Sequence, residues 1–221
     1  MFAPIVQLSE IVTLLGAASA SDVVFDESIG LAPYLVAADG GAAMALARGH
    51  VPKAVIGDLD SLGPEVLAQI PQDRLHRIEE QDTTDFDKAL RHLAVPLILA
   101  VGFTGQRLDH ELAVYNALVR NPARAVIVIG EYDICFHAPE TLNIALPVGT
   151  RISMFPMAEL TCASQGLRWP TDDLVLSPWG RVATSNLATE GVVSLRPSGA
   201  GMLVILPRAH LKAAMQALAD G

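Results

Sequence analysis

The chain has 221 residues, of which 51% are hydrophobic and 18% are charged, and its formal net charge is −9. This composition can bury a core, which excludes a disordered chain, and the negative charge argues against nucleic acid or an anionic membrane surface as a partner. A phosphate ligand is still compatible with that charge, because a bound metal can invert the local field.

Cysteine content, basic residues and apolar runs together indicate the compartment. The two cysteines, Cys135 and Cys162, predict reduced buried thiols rather than a disulfide framework or a zinc site. The first Lys or Arg is Arg48, so the basic segment that begins a signal peptide is missing. The longest apolar runs, such as 11–20, fall short of the roughly 20 residues that a membrane helix needs. We therefore predict a soluble, cytoplasmic protein.

Strands and helices alternate through the first part of the chain. Short apolar runs predict strands at 11–15, 34–38, 54–56, 75–78, 97–101 and 125–129. Helical patterns with start or stop signals predict helices at 42–48, 64–70, 84–93 and 108–120. The run 22–25 is ambiguous. Because such alternation is typical of parallel strands joined by crossover helices, we predict an α/β domain with a parallel, Rossmann-like sheet over residues 1–138.

The pattern changes near Pro139. Short extended runs separated by Gly, Pro, Asp and Ser follow, at 141–145, 150–155, 160–164, 174–176, 181–185, 192–195 and 202–206. This spacing is typical of antiparallel strands. We therefore predict an all-β sandwich or barrel domain over residues 139–221, closed by a short helix at 209–218.

Aspartates follow two of the predicted strands. Asp39 comes directly after 34–38, and Asp58 and Asp60 come just after 54–56. The carboxyl ends of parallel strands form the crevice in which ligands bind, and in an extended segment residues two apart point to the same side. Clustered carboxylates repel one another unless a cation lies among them, and hard oxygen ligands favour Mg²⁺. The alternative is a solvated acidic turn that caps the following helix.

The segment 81–88, with the sequence QDTTDFDK, opens a predicted helix. Acidic residues in a first helical turn complement the helix dipole, which by itself explains Asp85 and Asp87. It does not explain the residues before them or the lysine after them. The functional alternative makes Asp85 a metal ligand and Lys88 a phosphate partner.

The segment 102–107, with the sequence GFTGQR, follows a strand and precedes a helix. Glycines let backbone N–H groups approach an anion at a helix N-terminus, and Arg107 can bind a phosphate or stack on a base. Neither the GxxxxGK[ST] nor the GxGxxG motif occurs. The alternative is a simple turn capped by Asp109, with His110 on the helix face.

Trp169 and Trp179 are the chain's two tryptophans, and Thr184-Ser185-Asn186 places small polar groups near a strand end. Core tryptophans beside a turn would explain this pattern. The alternative is a flat apolar wall with hydrogen-bonding partners for a heteroaromatic ligand.

Taken together, these motifs resemble the thiamine pyrophosphokinase family. That family shows D-G-G, G-D-x-D-S, Q-D-x-T-D-F-x-K and G-x-x-G-x-R-x-D-H segments in this order, which here stand at 39–41, 57–61, 81–88 and 102–110. The run 166–169, followed by 184–186, is similar to the thiamine-side segments of the family.

The resemblance implies transfer of the β,γ-pyrophosphoryl group of ATP to the hydroxyl of thiamine, with release of AMP. It implies an α/β catalytic domain at 1–138 that binds ATP and Mg²⁺, and a β domain at 139–221 that binds thiamine and dimerises. It also implies a homodimer with its site between the subunits.

The resemblance also implies residue roles. It implies metal ligands or holders of metal-bound water at Asp39, Asp58, Asp60 and Asp85. It implies catalytic roles for Asp58, Asp60, Asp85 and Lys88. It implies nucleotide contacts for Asp39, Gly40, Thr104, Gly105, Arg107 and Asp109. It implies substrate contacts for Gln81, Asp82, Trp169, Ser185 and Asn186. The chain departs from the family pattern at Gln106, Leu187 and the first strand end, LLGAAS.

Two rival functions fit part of the pattern. A Mg²⁺-dependent phosphatase with Asp58 as nucleophile and Asp60 as acid would explain the strand followed by DxD, but not 81–88 or Arg107. A non-catalytic nucleotide- or thiamine-binding regulator on the same scaffold would keep all the motifs. Phosphate release without AMP would favour the first, and tight binding without turnover would favour the second.

Overall fold

The computed structural model of the chain describes residues 3–80 and 82–219. The chain divides into two compact units, Met1–Ala117 with Val128–Glu131 and Leu118–Ile127 with Tyr132–Gly221. Both units mix strands and helices. The predicted boundary near residue 138 and the roles attached to the two domains remain predictions.

The first unit alternates strands and helices, as the sequence predicts. Its elements are β1 (Val6–Gln7), β2 (Val12–Leu15), α1 (Asp22–Leu31), β3 (Tyr34–Ala38), α2 (Gly41–Ala47), β4 (Ala54–Gly57), α3 (Pro64–Leu67), β5 (Leu75–Arg77), α4 (Asp85–His92), β6 (Leu93–Ala94) and β7 (Ile98–Val101). Helix α5 (Leu108–Arg120) and strand β8 (Val126–Ile129) contain points at which the chain passes from one unit to the other.

The core of the first unit is a parallel sheet in the order β7-β2-β3-β4-β5. All four residues of β2, β4 and β7 are buried, as expected for strands covered on both faces. The predicted parallel pairing is therefore confirmed. The helix predicted at 64–70 is shorter than expected, because it ends at Leu67.

The ambiguous run 22–25 is the start of helix α1. The Ser21 hydroxyl caps the helix by accepting a hydrogen bond from the Val24 amide, and Val24 and Phe25 are buried. At the other end, the Thr13 hydroxyl contacts the carbonyl oxygens of Ser28 and Ala32 at 3.1 and 2.8 Å. These contacts fasten the end of α1 to β2.

The second unit is mainly antiparallel. Its elements are β9 (Asp133–His137), β10 (Leu142–Ala145), β11 (Arg151–Pro156), β12 (Cys162–Gln165), β13 (Ala183–Leu187), β14 (Val192–Pro197), β15 (Met202–Pro207) and α6 (Leu211–Ala219). Strands β13-β11-β15-β9 pair antiparallel, as do β10-β14-β12.

Several predictions for the second unit are confirmed and others are not. The terminal helix is present as α6, and Cys135 and Cys162 are free and buried. The strand predicted at 174–176 is wrong, since Leu176 makes only an isolated bridge to Leu160. Strand β9 lies in a part of the chain for which the sequence predicted no strand. Closure of these strands into a sandwich or barrel remains a prediction.

Within the described part of the chain, no helix combines the length and the apolar character needed to cross a bilayer.

Candidate functional site

Three carboxylates converge at the carboxyl edge of the parallel sheet. Asp39 follows β3 directly, and Asp58 follows the neighbouring strand β4, which is paired with β3 in parallel. Asp39, Asp58 and Asp60 each offer an oxygen, and these oxygens lie within 4.8 Å of one another. Below, these three residues are called the acidic triad.

The backbone between Asp58 and Asp60 is a turn, so the predicted extended geometry is wrong. Leu59 has φ +64°, in the left-handed region, and the Asp60 amide donates to Asp58 Oδ1 at 3.3 Å. A non-glycine residue in this region costs about 1–2 kcal/mol. The Leu59 side chain packs on the buried cluster that includes Val55 and Ile70, which offsets this cost. The two carboxylates therefore meet through a strained turn rather than through strand alternation.

Asp39 is the most enclosed member of the triad, with 6% of its surface exposed. Its Oδ2 accepts a short hydrogen bond from the Ser61 hydroxyl, whereas its buried Oδ1 has no hydrogen-bond partner among the described residues. A Cβ added at Gly57 would lie 2.7 Å from the Asp39 Cβ, so only glycine fits there. An unpaired buried carboxylate oxygen costs about 1–3 kcal/mol or more, which a cation at this point would relieve.

Lys88 lies beside the triad and is almost completely buried, at 2% exposure. From helix α4, its ammonium donates to Asp58 Oδ2 and to Asp85 Oδ1, each at 3.1 Å. Burial acts to lower the pKa of Lys88, but the hydrogen bonds to Asp85 and Asp58 outweigh it and raise the pKa. Lys88 is therefore held as a cation between two carboxylates.

The triad members differ in their proton affinity. Burial acts to raise the pKa of Asp58, but the hydrogen bond from Lys88 and those from Asp60 outweigh it and lower the pKa. For Asp60, the hydrogen bond with Asp58 and the Asp58 charge raise the pKa. Asp58 is thus the carboxylate that its surroundings keep ionised.

A cleft of about 400 Å³ opens next to the triad within the first unit. Five of the predicted site residues line it, namely Asp39, Gly40, Asp60, Asp85 and Arg107. Other residues that line the cleft were not among the predicted contacts. They include Gly16, Ala17, Ala18, Ser61, Phe103 and His110.

Gly16 and Gly102 show why the cleft is lined partly by backbone. Gly16 ends β2, and a Cβ there would lie 2.4 Å from the Gly102 carbonyl oxygen. Gly102 has φ +75°, and a Cβ there would lie 2.7 Å from the Gly16 carbonyl oxygen. Only glycine at both positions allows this close approach. The glycine that follows the first predicted strand was the available signal.

The loop before α5 carries the predicted nucleotide-side residues. Arg107 and Asp109 form an exposed two-pronged ion pair, with Arg107 nitrogens 3.2 and 2.7 Å from the Asp109 oxygens. The hydrogen bond from Arg107 lowers the pKa of Asp109 to about 2. The Gly105 amide donates to Glu111 at 3.0 Å, and Thr104 is half-buried. Asp109 therefore orients Arg107 in this structure.

In the second unit, Trp169 and Asn186 meet in a separate small cavity of about 160 Å³. Trp169 is 52% exposed, so it is not a core tryptophan, and the Arg168 guanidinium carbon lies 5.0 Å from its ring centroid. Buried Asn186 binds the Trp169 backbone in both directions, accepting from its amide at 3.1 Å and donating to its carbonyl at 2.6 Å. Ser185 is exposed and has φ +60°.

The remaining predicted substrate residues lie before α4. Asp82 is exposed and is not among the residues that line the cleft. Gln81 lies outside the described residues.

The fold and the site together define a class. The protein is a mixed α/β protein with a candidate cation site at the carboxyl edge of a parallel sheet. Its cleft lies in the size range of small-molecule and cofactor sites.

Comparison with known proteins shows which family part of the chain is similar to. Residues 25–129 match the model of the thiamin pyrophosphokinase catalytic domain. Thiamine pyrophosphokinase 3 of Oryza sativa subsp. japonica is 30% identical over 162 residues, which are 65% of this chain and 61% of that protein. These matches show that residues 25–129 are similar to the catalytic domain of the thiamine pyrophosphokinase family. The chain spans only 61–64% of the curated relatives that it matches.

Solved structures show the same fold. Thiamin pyrophosphokinase from Candida albicans superposes with a TM-score of 0.74 at 16% identity, over 94% of this chain and 95% of that one. The enzyme of the same name from Geobacillus thermodenitrificans gives a TM-score of 0.73 at 22% identity, over 89% and 96%. These neighbours extend the fold match beyond residues 25–129 to most of the chain.

Proposed function

We propose that this protein is a thiamine pyrophosphokinase, an ATP:thiamine diphosphotransferase. The observation that carries the proposal is the acidic triad beside buried Lys88, within the residues that match the catalytic domain of the family. The hydroxyl oxygen of thiamine attacks the β-phosphorus of ATP. The bond from that phosphorus to the α,β-bridging oxygen breaks, the hydroxyl proton is lost, and thiamine diphosphate and AMP form.

The donor set of the triad fits Mg²⁺. Carboxylate oxygens are the ligands this ion prefers, and the unpaired Oδ1 of buried Asp39 lacks a positive partner that such an ion would provide. We propose Asp39, Asp58 and Asp60 as ligands of the ion or of its waters, with Asp85 as a further holder from the cleft wall. When bound, the ion would neutralise charge on the transferring phosphates.

The other site residues position the two substrates in this proposal. Lys88 keeps Asp58 and Asp85 in place, because its ammonium binds both. The proposed nucleotide contacts are Asp39, Gly40, Thr104, Gly105, Arg107 and Asp109. Arg107 is suited to phosphate because its planar fork can bind two oxygens at once. The proposed thiamine contacts are Gln81, Asp82, Trp169, Ser185 and Asn186.

We further propose that the protein acts in the cytoplasm as a homodimer with its site between subunits. The family resemblance supports this assembly. Light scattering on the purified protein tests it, because a monomer that makes thiamine diphosphate at full rate would contradict a shared site.

One incubation tests the reaction. With ATP, Mg²⁺ and thiamine, the proposal expects thiamine diphosphate and AMP in equal amounts. Release of inorganic phosphate without AMP would instead identify the Mg²⁺-dependent phosphatase. Tight binding of ATP or thiamine without any product would identify the non-catalytic regulator.

A further inference from the structure

Two side chains from the segment before α4 and one from the last turn of α4 form a closed ring. Arg91, in the last turn of α4, donates from Nη2 to Glu80 Oε2 at 2.6 Å and to Thr83 Oγ1 at 2.5 Å. The Thr83 hydroxyl in turn donates to Glu80 Oε1 at 2.8 Å. The ring of Glu80, Thr83 and Arg91 is called the Arg91 clamp below. None of these residues belongs to the proposed metal, nucleotide or thiamine contacts.

The clamp is more than an isolated surface ion pair. The Arg91 and Glu80 side chains are only 21% and 30% exposed, and every corner of the ring bonds to both others. Hydrogen bonds between ionised partners are shorter and about twice as strong as neutral ones. The hydrogen bonds from Arg91 and Thr83 lower the pKa of Glu80, so this carboxylate is ionised at neutral pH.

The clamp joins two parts of the candidate site. Glu80 and Thr83 lie on either side of Asp82, a proposed thiamine contact, in the segment between β5 and α4. Arg91 lies on the helix that also carries Asp85 and Lys88, and Lys88 binds the triad through Asp58. Exposed Asp82 therefore lies between two residues that are fastened to the helix that borders the acidic triad.

We propose that Glu80, Thr83 and Arg91 are positioning residues that hold Asp82 in place and thereby set the affinity for the acceptor alcohol. This inference rests on the proposed function. The acceptor is a small cationic alcohol, and a carboxylate such as Asp82 suits its charge. The acidic triad and the proposed nucleotide contacts belong to other segments of the chain, so we expect the clamp to affect the acceptor more than the nucleotide.

The chemistry of each corner suggests the variants. Arg91→Lys keeps the positive charge but loses the rigid guanidinium, which donates from Nη2 to both clamp partners and from Nε to the Asp87 carbonyl oxygen. Thr83→Val keeps the shape and removes the hydroxyl that links the other two side chains. Glu80→Gln removes the charge and keeps the size. Glu79→Gln is the matched control, because Glu79 is the exposed neighbour of Glu80.

Steady-state kinetics on the whole 221-residue chain test the proposal. We expect Arg91→Lys and Thr83→Val to raise the KM for thiamine by about tenfold or more, and to leave the KM for ATP and kcat within about twofold. Because the corners act as one unit, the double variant Thr83→Val/Arg91→Lys is expected to be no worse than Arg91→Lys alone. Glu79→Gln should match the wild type. An unchanged KM for thiamine, or an equal rise in both KM values, overturns the proposal.

Hydrogen–deuterium exchange provides a readout that does not depend on turnover. In the ligand-free protein, we expect the amides of residues 82–84 to exchange faster in Arg91→Lys and Thr83→Val than in the wild type or Glu79→Gln. Unchanged exchange in both clamp variants overturns the clamp even if the enzyme is active. A wild type without product refutes the proposed function instead, so the two failures are distinguishable.

Discussion

At the scale of single residues, Asp58 connects the acidic triad with Lys88 on helix α4. One of its oxygens accepts from the Lys88 ammonium and the other from the Asp60 amide. The side chain is thus oriented by a cation from α4 and by its own turn before any metal ion binds. A carboxylate held in this way needs little rearrangement to become a metal ligand, which favours catalysis by preorganisation.

Replacing Asp58 tests its proposed role directly. Asp58→Asn keeps the shape of the side chain but removes its charge, while Lys88 keeps Asp85 as an ion-pair partner. We expect the rate of thiamine diphosphate formation to fall by about 100-fold or more, since even residues behind metal ligands cost about 10–100-fold. Circular dichroism should show an unchanged fold. Asp26→Asn, an exposed change on α1, is the control, and wild-type turnover in Asp58→Asn would refute the assignment.

The proposed role of Trp169 can be tested by comparing thiamine binding with nucleotide binding. Its indole is half exposed and its backbone is held by Asn186, so it presents a fixed apolar face. We expect Trp169→Ala to raise the KM for thiamine far more than the KM for ATP, because aromatic stacking adds roughly 0.5–1.5 kcal/mol beyond area burial. Trp179→Ala, at an exposed tryptophan outside that cavity, is the control. An equal effect on both KM values would count against a contact between the Trp169 indole and thiamine.

At the scale of elements, the site depends on how closely the helices approach the strand ends. Gly41 begins α2, and a Cβ there would lie 2.1 Å from the carbonyl oxygen of Leu15 at the end of β2. This contact involves backbone on both sides, so no side-chain rotation can relieve it. The position of α2, and with it the turn that carries Asp39, therefore depends on glycine.

Two glycine-to-alanine variants test this dependence. Gly41→Ala forces α2 away from β2, and we expect the free energy of unfolding to fall by about 1–3 kcal/mol. Gly30→Ala, within α1, meets nothing within 4 Å and should stabilise the protein by about 0.5–1 kcal/mol. Urea denaturation monitored by fluorescence measures both changes. Equal stability of the two variants would show that the close approach of α2 is not important.

At the scale of the whole molecule, the acidic triad concentrates negative charge in a chain whose net charge is already −9. Both the local repulsion and the unpaired Asp39 oxygen disfavour the ligand-free state. A divalent cation with a nucleotide should therefore stabilise the folded protein by binding only to that state.

Thermal denaturation measures this linkage. At a ligand concentration 100 times its Kd, Mg²⁺ with ATP should stabilise the wild type by about 2.7 kcal/mol, which raises Tm by several degrees. We expect Asp39→Asn to lose most of this increase, since its unpaired oxygen is the proposed metal contact, and EDTA to abolish it in the wild type. An identical rise in Tm for Asp39→Asn would exclude Asp39 as a metal ligand.

The parallel sheet, the antiparallel second unit and the order of the acidic motifs could be predicted from the sequence alone. These features depend on local periodicity and on which residues follow a strand, so they can be predicted from neighbours along the chain. For the same reason, Asp39, Asp58, Asp60 and Asp85 could be identified before the fold was known. Their proposed roles as metal ligands remain a prediction.

How these residues meet depends on the folded structure and could not be predicted from the sequence. Lys88 and Asp58 are 30 positions apart in the chain, yet the buried Lys88 ammonium forms an ion pair with the partly buried Asp58 carboxylate. The left-handed turn at Leu59, the unpaired oxygen of Asp39 and the Arg91 clamp likewise depend on packing between separate elements. Burial and hydrogen-bond partners are properties of the packed molecule, because they depend on atoms that the chain brings together only when it folds.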